Sequence, residues 1–183
     1  MSRLTSLSPA ALKAMFAPES DDTLITLVTI YTTASPDANS IRLCDGYTKR
    51  ISETARDVIY GVTSRGYDYI FLPINITLPS EEDASAPKCS LTINDVTRYI
   101  TPIIRTISSP PKVLMELVLA STLDPTNINY APNTTPEASF PGFYITNFTY
   151  NAESVQAELS MINYASEPFP AYTFTPAYFP GLF

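Results

Sequence analysis

A chain of 183 residues with a net charge of −7, 0 His, 0 Trp and only 5 Gly argues against several function classes at once. Without His it lacks the commonest general base and the commonest metal ligand, and its few Gly make no phosphate-cradling loop. Net negative charge repels nucleic acid, and no run approaches the ~18 continuous apolar residues of a membrane-spanning helix.

The length suits one domain, or one domain with an arm. A chain of this size buries roughly 70% of its unfolded surface and needs no covalent staples. Its 2 Cys, Cys44 and Cys89, leave one disulfide open, but they form no disulfide framework and no metal pattern. Two reduced, partly buried thiols are expected, and no cofactor. The N-terminal stretch has no apolar signal core, so the sequons at Asn75, Asn133 and Asn147 read as chance matches in a Thr- and Asn-rich chain.

Charge is unevenly spread. Through Lys112 the chain holds 11 bases against 12 acids, a balance of −1; the remaining 71 residues hold 6 acids and no base. Those acids are Glu116, Asp124, Glu137, Glu153, Glu158 and Glu167. They read either as a solvated acidic face or as a surface past which DNA slides without binding. With 17 Pro, 12 Tyr and 9 Phe, the composition suits strands, extended connections and aromatic contacts.

In chain order, Ser8 is an N-cap and Pro9 the first position of a short helix that Pro18 ends, with Leu12, Met15 and Phe16 as its apolar edge. Leu24–Tyr31 (LITLVTIY) is apolar enough to be a strand buried on both faces or central in a sheet. Ile41–Leu43 is a short strand, and Asp45-Gly46 is the strongest hairpin turn signal. Ala55–Val62 and Tyr67–Leu72 read as strands about a turn at Ser64-Arg65-Gly66, and Pro73 breaks or edges the second. Ile74–Leu78 alternates. Pro79–Lys88 is an acidic loop, in which Glu81, Glu82 and Asp83 are better read as solvated than as a cation site.

The most ordered signal is Pro87–Ala120. Cys89–Ile93 alternates, with Leu91 and Ile93 on one side. Asn94 and Asp95 offer N-caps for a short helix near 95–106, whose stripe Val96, Tyr99, Ile100, Ile103 is interrupted by Pro102. Val113–Ala120, apolar except for Glu116, is a buried strand. Leu123–Pro141 reads as a long surface loop with a contact role. Phe143–Tyr150 is an aromatic strand, Asn151-Ala152 a turn, and Val155–Met161 a strand with Val155, Ala157, Leu159 and Met161 inward. The fold class is therefore mainly β, a β-rich α+β fold: a barrel-like or sandwich sheet with a short N-terminal helix.

The sequence divides into a β-rich domain at 1–166 and an extended arm at 167–183 (EPFPAYTFTPAYFPGLF). Prolines this dense forbid a helix. Six aromatics, Phe169, Tyr172, Phe174, Tyr178, Phe179 and Phe183, must lie on this domain or on a neighbour. With Pro180 they are the candidate protein-interface residues.

The ending FTPAYFPGLF, the preceding EPFP, the ITLPSEED stretch and the central LTINDVTRYITPIIR…KVLMELVLAS together resemble a family of small, single-domain tail proteins of long, non-contractile-tailed phages (siphoviruses) and prophages. That family is similar in turn to the N-terminal hub part of the lambda-type tail-tip L protein. The most specific motif is Phe179-Pro180-Gly181, and the resemblance runs from about Leu24 to the end. It implies a structural virion protein of the tail tip, a baseplate hub or adaptor that folds as a β-barrel-like domain. Its partners would be itself, as a ring or trimer, the distal tail protein above and a central hub, spike or fibre protein below. DNA would pass nearby without specific binding, and no membrane is involved. Lambda-type relatives continue into a Cys-bearing metal-cluster segment; this sequence ends at Phe183 with Cys44 and Cys89 alone, so no metal site is carried over.

Two other classes compete. A receptor- or glycan-binding module would use an exposed aromatic platform such as Tyr130–Phe148. An enzyme, for instance a peptidoglycan hydrolase, would need paired carboxylates such as Glu116 and Glu158; with one in a core strand and the other on a wet face, no catalytic residue is expected.

Overall fold

The computed structural model describes residues 7–19, 22–37, 39–54, 58–77, 88–95, 100, 109–123, 135–151, 153–161 and 181. Among these residues ten strands run β1 (Leu24–Tyr31), β2 (Ile41–Cys44), β3 (Lys49–Glu53), β4 (Val58–Ser64), β5 (Tyr67–Phe71), β6 (Ile74–Thr77), β7 (Lys88–Asn94), β8 (Lys112–Leu119), β9 (Ala138–Tyr150) and β10 (Ser154–Ser160). Helix α1 spans Pro9–Phe16 and a single turn, α2, spans Ala120–Leu123. The fold is mainly β. The expected helix near 95–106 and the arm at 167–183 fall largely outside the described residues, of which they contain only Asp95, Ile100 and Gly181.

All ten strands join one sheet in the order β3-β4-β5-β2-β1-β8-β9-β10-β7-β6. Every pairing is antiparallel except β2 with β5. This sheet is rolled, and the chain length proves it. β5, third in the order, hands over to β6, tenth in the order, through only Leu72 and Pro73. Three Cα steps of ~3.8 Å span at most ~11 Å, whereas seven strand spacings of a flat sheet would put the two ~34 Å apart. The connection is bonded at both residues: Leu72 N–H donates to Cys44 O (3.1 Å) and Asn94 N–H to Pro73 O (2.9 Å). Pro73, which cannot donate, thus sits at a corner where only its carbonyl is used.

Rolling creates an inside and an outside, and residue parity divides the two cores. Inside lie Val28, Ile30, Leu43, Leu91, Ile93, Val113, Met115, Phe143 and Leu159. On the outer face of β1, β2 and β8, the β4–β5 hairpin folds back and buries Ile25, Leu27, Cys44, Val62, Tyr69 and Val118, with Leu123 of α2. Thr29 Oγ1 and Tyr69 OH lie 3.3 Å apart across this layer. β1 and β2 are therefore covered on both sides, which is why LITLVTIY is apolar at nearly every position. Each fully buried Leu here, such as Leu27 or Leu43, contributes about 1.5–3 kcal/mol.

The β4–β5 turn is the one expected. Ser64 pairs with Tyr67, and Arg65 and Gly66 have φ of 51° and 81°, the two positive angles of a tight hairpin turn whose twist matches the strands. Arg65 crosses to β8, where its guanidinium grips the Glu116 carboxylate with both nitrogens, Nη1 to Oε1 at 2.9 Å.

Several expectations are corrected. Asp45-Gly46 is not a hairpin: β2 pairs with β1 and β5 and not with β3, while Asp45 Oδ1 accepts from Thr26 N–H (2.7 Å) and closes a side connection. β3, of sequence KRISE, went unread because it is a polar strand at the sheet edge. Ala120 belongs to α2, not to β8. α1 is capped by Ser8 as expected, but it buries Ala11 while Met15 and Phe16 are exposed. Its cap is held from afar: Ser8 N–H and Oγ–H both donate to Glu137, each at 2.9 Å.

Cys44 and Cys89 are free and buried. Desolvation pushes the Cys44 thiol up to about 12 and the Cys89 thiol up to about 11. Both stay protonated and unreactive in the folded chain at neutral pH. A thiol reagent at pH 8 is expected to modify neither until denaturant is added; rapid labelling of the native protein would contradict their burial. Because the folded values are raised, the contribution to stability is complete below about pH 9, the ordinary thiol range. It is lost as pH climbs toward 11–12, so denaturation midpoints should fall across that alkaline window.

Candidate interaction site

β9 has 13 residues, and its apolar side chains do not alternate cleanly. They stand at Ala138, Phe140, Phe143, Ile145, Phe148 and Tyr150. Two register shifts explain this. Against β8, Met115 pairs with Phe140 and Val113 with Phe143, so Pro141 and Gly142 bulge together opposite one residue. Gly142 has φ +86°, which a side chain would oppose. Against β10, Leu159 pairs with Ile145 and Glu158 with Asn147, leaving Thr146 extra, its Oγ1 donating to Glu158 O at 3.1 Å. Each bulge flips the parity. The result keeps Phe140, then Phe143 and Ile145, then Phe148 and Tyr150 on the inner face.

Among the described residues, only part of β9 is paired on both sides. Its ladder with β8 ends at Tyr144 opposite Lys112, followed by one bond from Ile145 N–H to Pro111 O (3.0 Å). Upstream of Lys112 stand Pro110 and Pro111, which have no N–H to extend the ladder. Among the described residues, no strand lies on the outer edge of β9 beyond Ile145. β10 continues on the inner side to Val155, opposite Tyr150. The hairpin closes at Asn151, whose Oδ1 accepts from Glu153 N–H (2.8 Å) and Ser154 N–H (2.6 Å).

Beside this edge the roll opens into an apolar cavity of about 250 Å³, lined by Ile30, Leu91, Ile93, Pro110, Ile145 and Phe148 among others. At its mouth Phe148 and Tyr150 stack with centroids 6.3 Å apart and remain 43% and 47% exposed. These are large rings left part-exposed on the β9–β10 hairpin, a feature that recurs at contact surfaces.

A second exposed cluster lies on the opposite leaf. Tyr47 meets Tyr60 at 5.2 Å and Phe71 at 5.1 Å, and Tyr47 and Tyr60 are exposed. The Tyr130–Phe148 platform fares otherwise: Phe140 and Phe143 are buried, and Tyr130 lies outside the described residues.

The carboxylates are kept apart. Glu116 faces Ser139 on β9, whereas Glu158 faces Asn147, eight residues further along the same strand and on the order of 25 Å away at ~3.3 Å per residue. Glu116 is taken by Arg65 and Glu137 by Ser8, so of the acids in the second half only Glu153 and Glu158 are exposed among the described residues. Asp124 and Glu167 fall outside them. No group of three or more His, Cys, Asp or Glu converges among the described residues in a way that would hold a metal, and no described helix is long and apolar enough to cross a membrane.

No family model matches the chain, and no curated protein matches it. The interface residues expected from sequence, Phe169, Tyr172, Phe174, Tyr178, Phe179, Pro180 and Phe183, all lie outside the described residues. The β9 edge was missed. Its one sequence signal was the Pro110-Pro111 pair directly before a buried strand.

Proposed function

We propose that the chain is a structural virion component of a phage tail tip, a baseplate hub or adaptor that oligomerises at the distal end of the tail tube and links it to the central spike or fibre. The observation that carries the assembly part is the β9–β10 hairpin, whose stacked Phe148 and Tyr150 rings are part-exposed beside an apolar cavity. Such a surface is stabilised by covering it with protein. The phage assignment rests on the resemblance of the EPFP and FTPAYFPGLF motifs, and the virion tail tip would be its location. Removing 167–183 is expected to leave a folded domain that no longer self-associates by sedimentation; unchanged association would remove the arm from the interface. Disrupting the gene in its phage, followed by negative-stain electron microscopy, should give full heads without tails.

A second reading, a receptor- or glycan-binding module, is favoured by the Tyr47–Tyr60–Phe71 cluster, in which Tyr47 and Tyr60 are exposed, since rings of this kind stack on sugars. In that case the same disruption would give complete tails that fail to adsorb.

A further inference from the structure

We infer that the outer face of β7, β10 and β9 is a seat for an uncharged sugar, with Asn147, Gln156 and Glu158 as its principal hydrogen-bonding groups. The ligand class is that of the second reading above, on which the inference rests; the seat is new and lies apart from the Tyr47 cluster.

The strand register builds a grid. Glu158 stands between Ser90 and Asn147, and Gln156 between Thr92 and Thr149. Three strands ~4.8 Å apart and two rows ~6.7 Å apart spread these six side chains over an area of sugar-ring size. Just beyond Glu158 and Asn147 the extra residue Thr146 bulges β9. A bulge bends its strand, and here the face is dished into a hollow of about 300 Å³ lined by the six.

The side chains select the ligand. A wet outer face is ordinary for an antiparallel sheet, but such faces usually mix Lys, Arg, Asp and Glu, whereas all of these six except Glu158 are uncharged. The three hydroxyls donate and accept, the two amides do both from separate atoms, and the carboxylate accepts. Ser90 Oγ–H donates to Thr77 Oγ1 at 3.0 Å, which leaves Ser90 as an acceptor. Among the described residues, the side chains of Asn147, Thr149, Gln156 and Glu158 have no hydrogen-bond partner. Vicinal hydroxyls, each a donor and an acceptor, match such a set.

Other ligand classes fit poorly. A phosphate or nucleic acid calls for cations; the grid has none, and Lys88 and Lys112 stand a row further on, opposite Ser160 and Tyr144. A protein interface is anchored by aromatic and apolar side chains, which the six positions lack. Paired strands hold the grid, and its two Thr are stiff at χ1, so little freedom is lost on binding.

The test uses the full chain and a panel of uncharged gluco-, galacto- and manno-oligosaccharides, with sialylated and phosphorylated oligosaccharides as the contrast. Binding is read by titration calorimetry. An uncharged sugar is expected to bind about tenfold more tightly than any acidic one, a difference of about 1.4 kcal/mol. Gln156→Ala and Asn147→Ala should each weaken it about fivefold, the contribution of a single hydrogen bond. Their urea midpoints should not move, because both side chains are exposed. Glu158→Gln should narrow the gap to the acidic set, and Tyr60→Ser should leave the affinity unchanged. Loss of binding in Tyr60→Ser with none in the grid variants would keep the glycan reading and overturn this seat. No binding across the panel would overturn both. Acidic sugars bound most tightly would overturn the chemistry assigned to the grid.

Discussion

Gly61→Ala is expected to destabilise the domain by about 3–5 kcal/mol, a large share of the 5–15 kcal/mol that domains of this size possess. Gly61 lies inside β4, paired with Ile70 on one side and Lys49 on the other. A Cβ there would stand 1.9 Å from Tyr69 O and 2.5 Å from Ile51 Cδ1. The side chain of Ile51 can shift, but Tyr69 O belongs to the backbone of β5. That same carbonyl accepts from Cys44 Sγ at 3.4 Å, so moving it disturbs the second core as well. Ordinary overpacking costs about 1–3 kcal/mol; a clash with a neighbouring strand's main chain exceeds that. Urea denaturation measures the loss, and Cys44 labelling offers a second readout, since its cover moves with β5. A change below 1 kcal/mol would show that β4 and β5 do not approach so closely.

The second large effect concerns the hairpin tip. Arg65→Asn sets two terms of opposite sign against each other. Asn tolerates the positive φ of 51° better than Arg and returns about 1 kcal/mol of turn strain. It also strips the partner from Glu116, whose side chain is only 5% exposed. Leaving a buried carboxylate unpaired costs about 3–5 kcal/mol; because the Arg65 side chain is 33% exposed, the lower end applies. The expected net loss is about 2 kcal/mol. Adding Glu116→Met should recover most of it, since an apolar pair of similar volume replaces a buried ion pair at little cost. If Arg65→Asn stabilises the protein, the turn outweighs the pair and the assignment of Glu116 as a buried anchor fails.

How much of this was legible depended on how many structural layers touched each residue. β1 was plain in the sequence because both its faces are covered, and β7 and β10 because each has one wet and one dry face throughout. β9 blurred because Pro141-Gly142 and Thr146 each reverse its parity, so no single period describes it. β3 was missed because an edge strand has no apolar face to display. Asp45-Gly46 misled because turn chemistry reports a local bend, whereas β2 finds its partners in β1 and β5. The end of the β8–β9 ladder was the least legible feature: it falls where Pro110-Pro111 comes to lie beside Ile145, 34 residues later. No local pattern records that meeting.

The two-residue bridge from β5 to β6 carries a consequence for the cavity. Here Leu72 and Pro73 are a covalent hoop across the seam, and its span is set by bond lengths. The two sides of the seam are therefore tied by the chain itself and not only by the side chains packed between them.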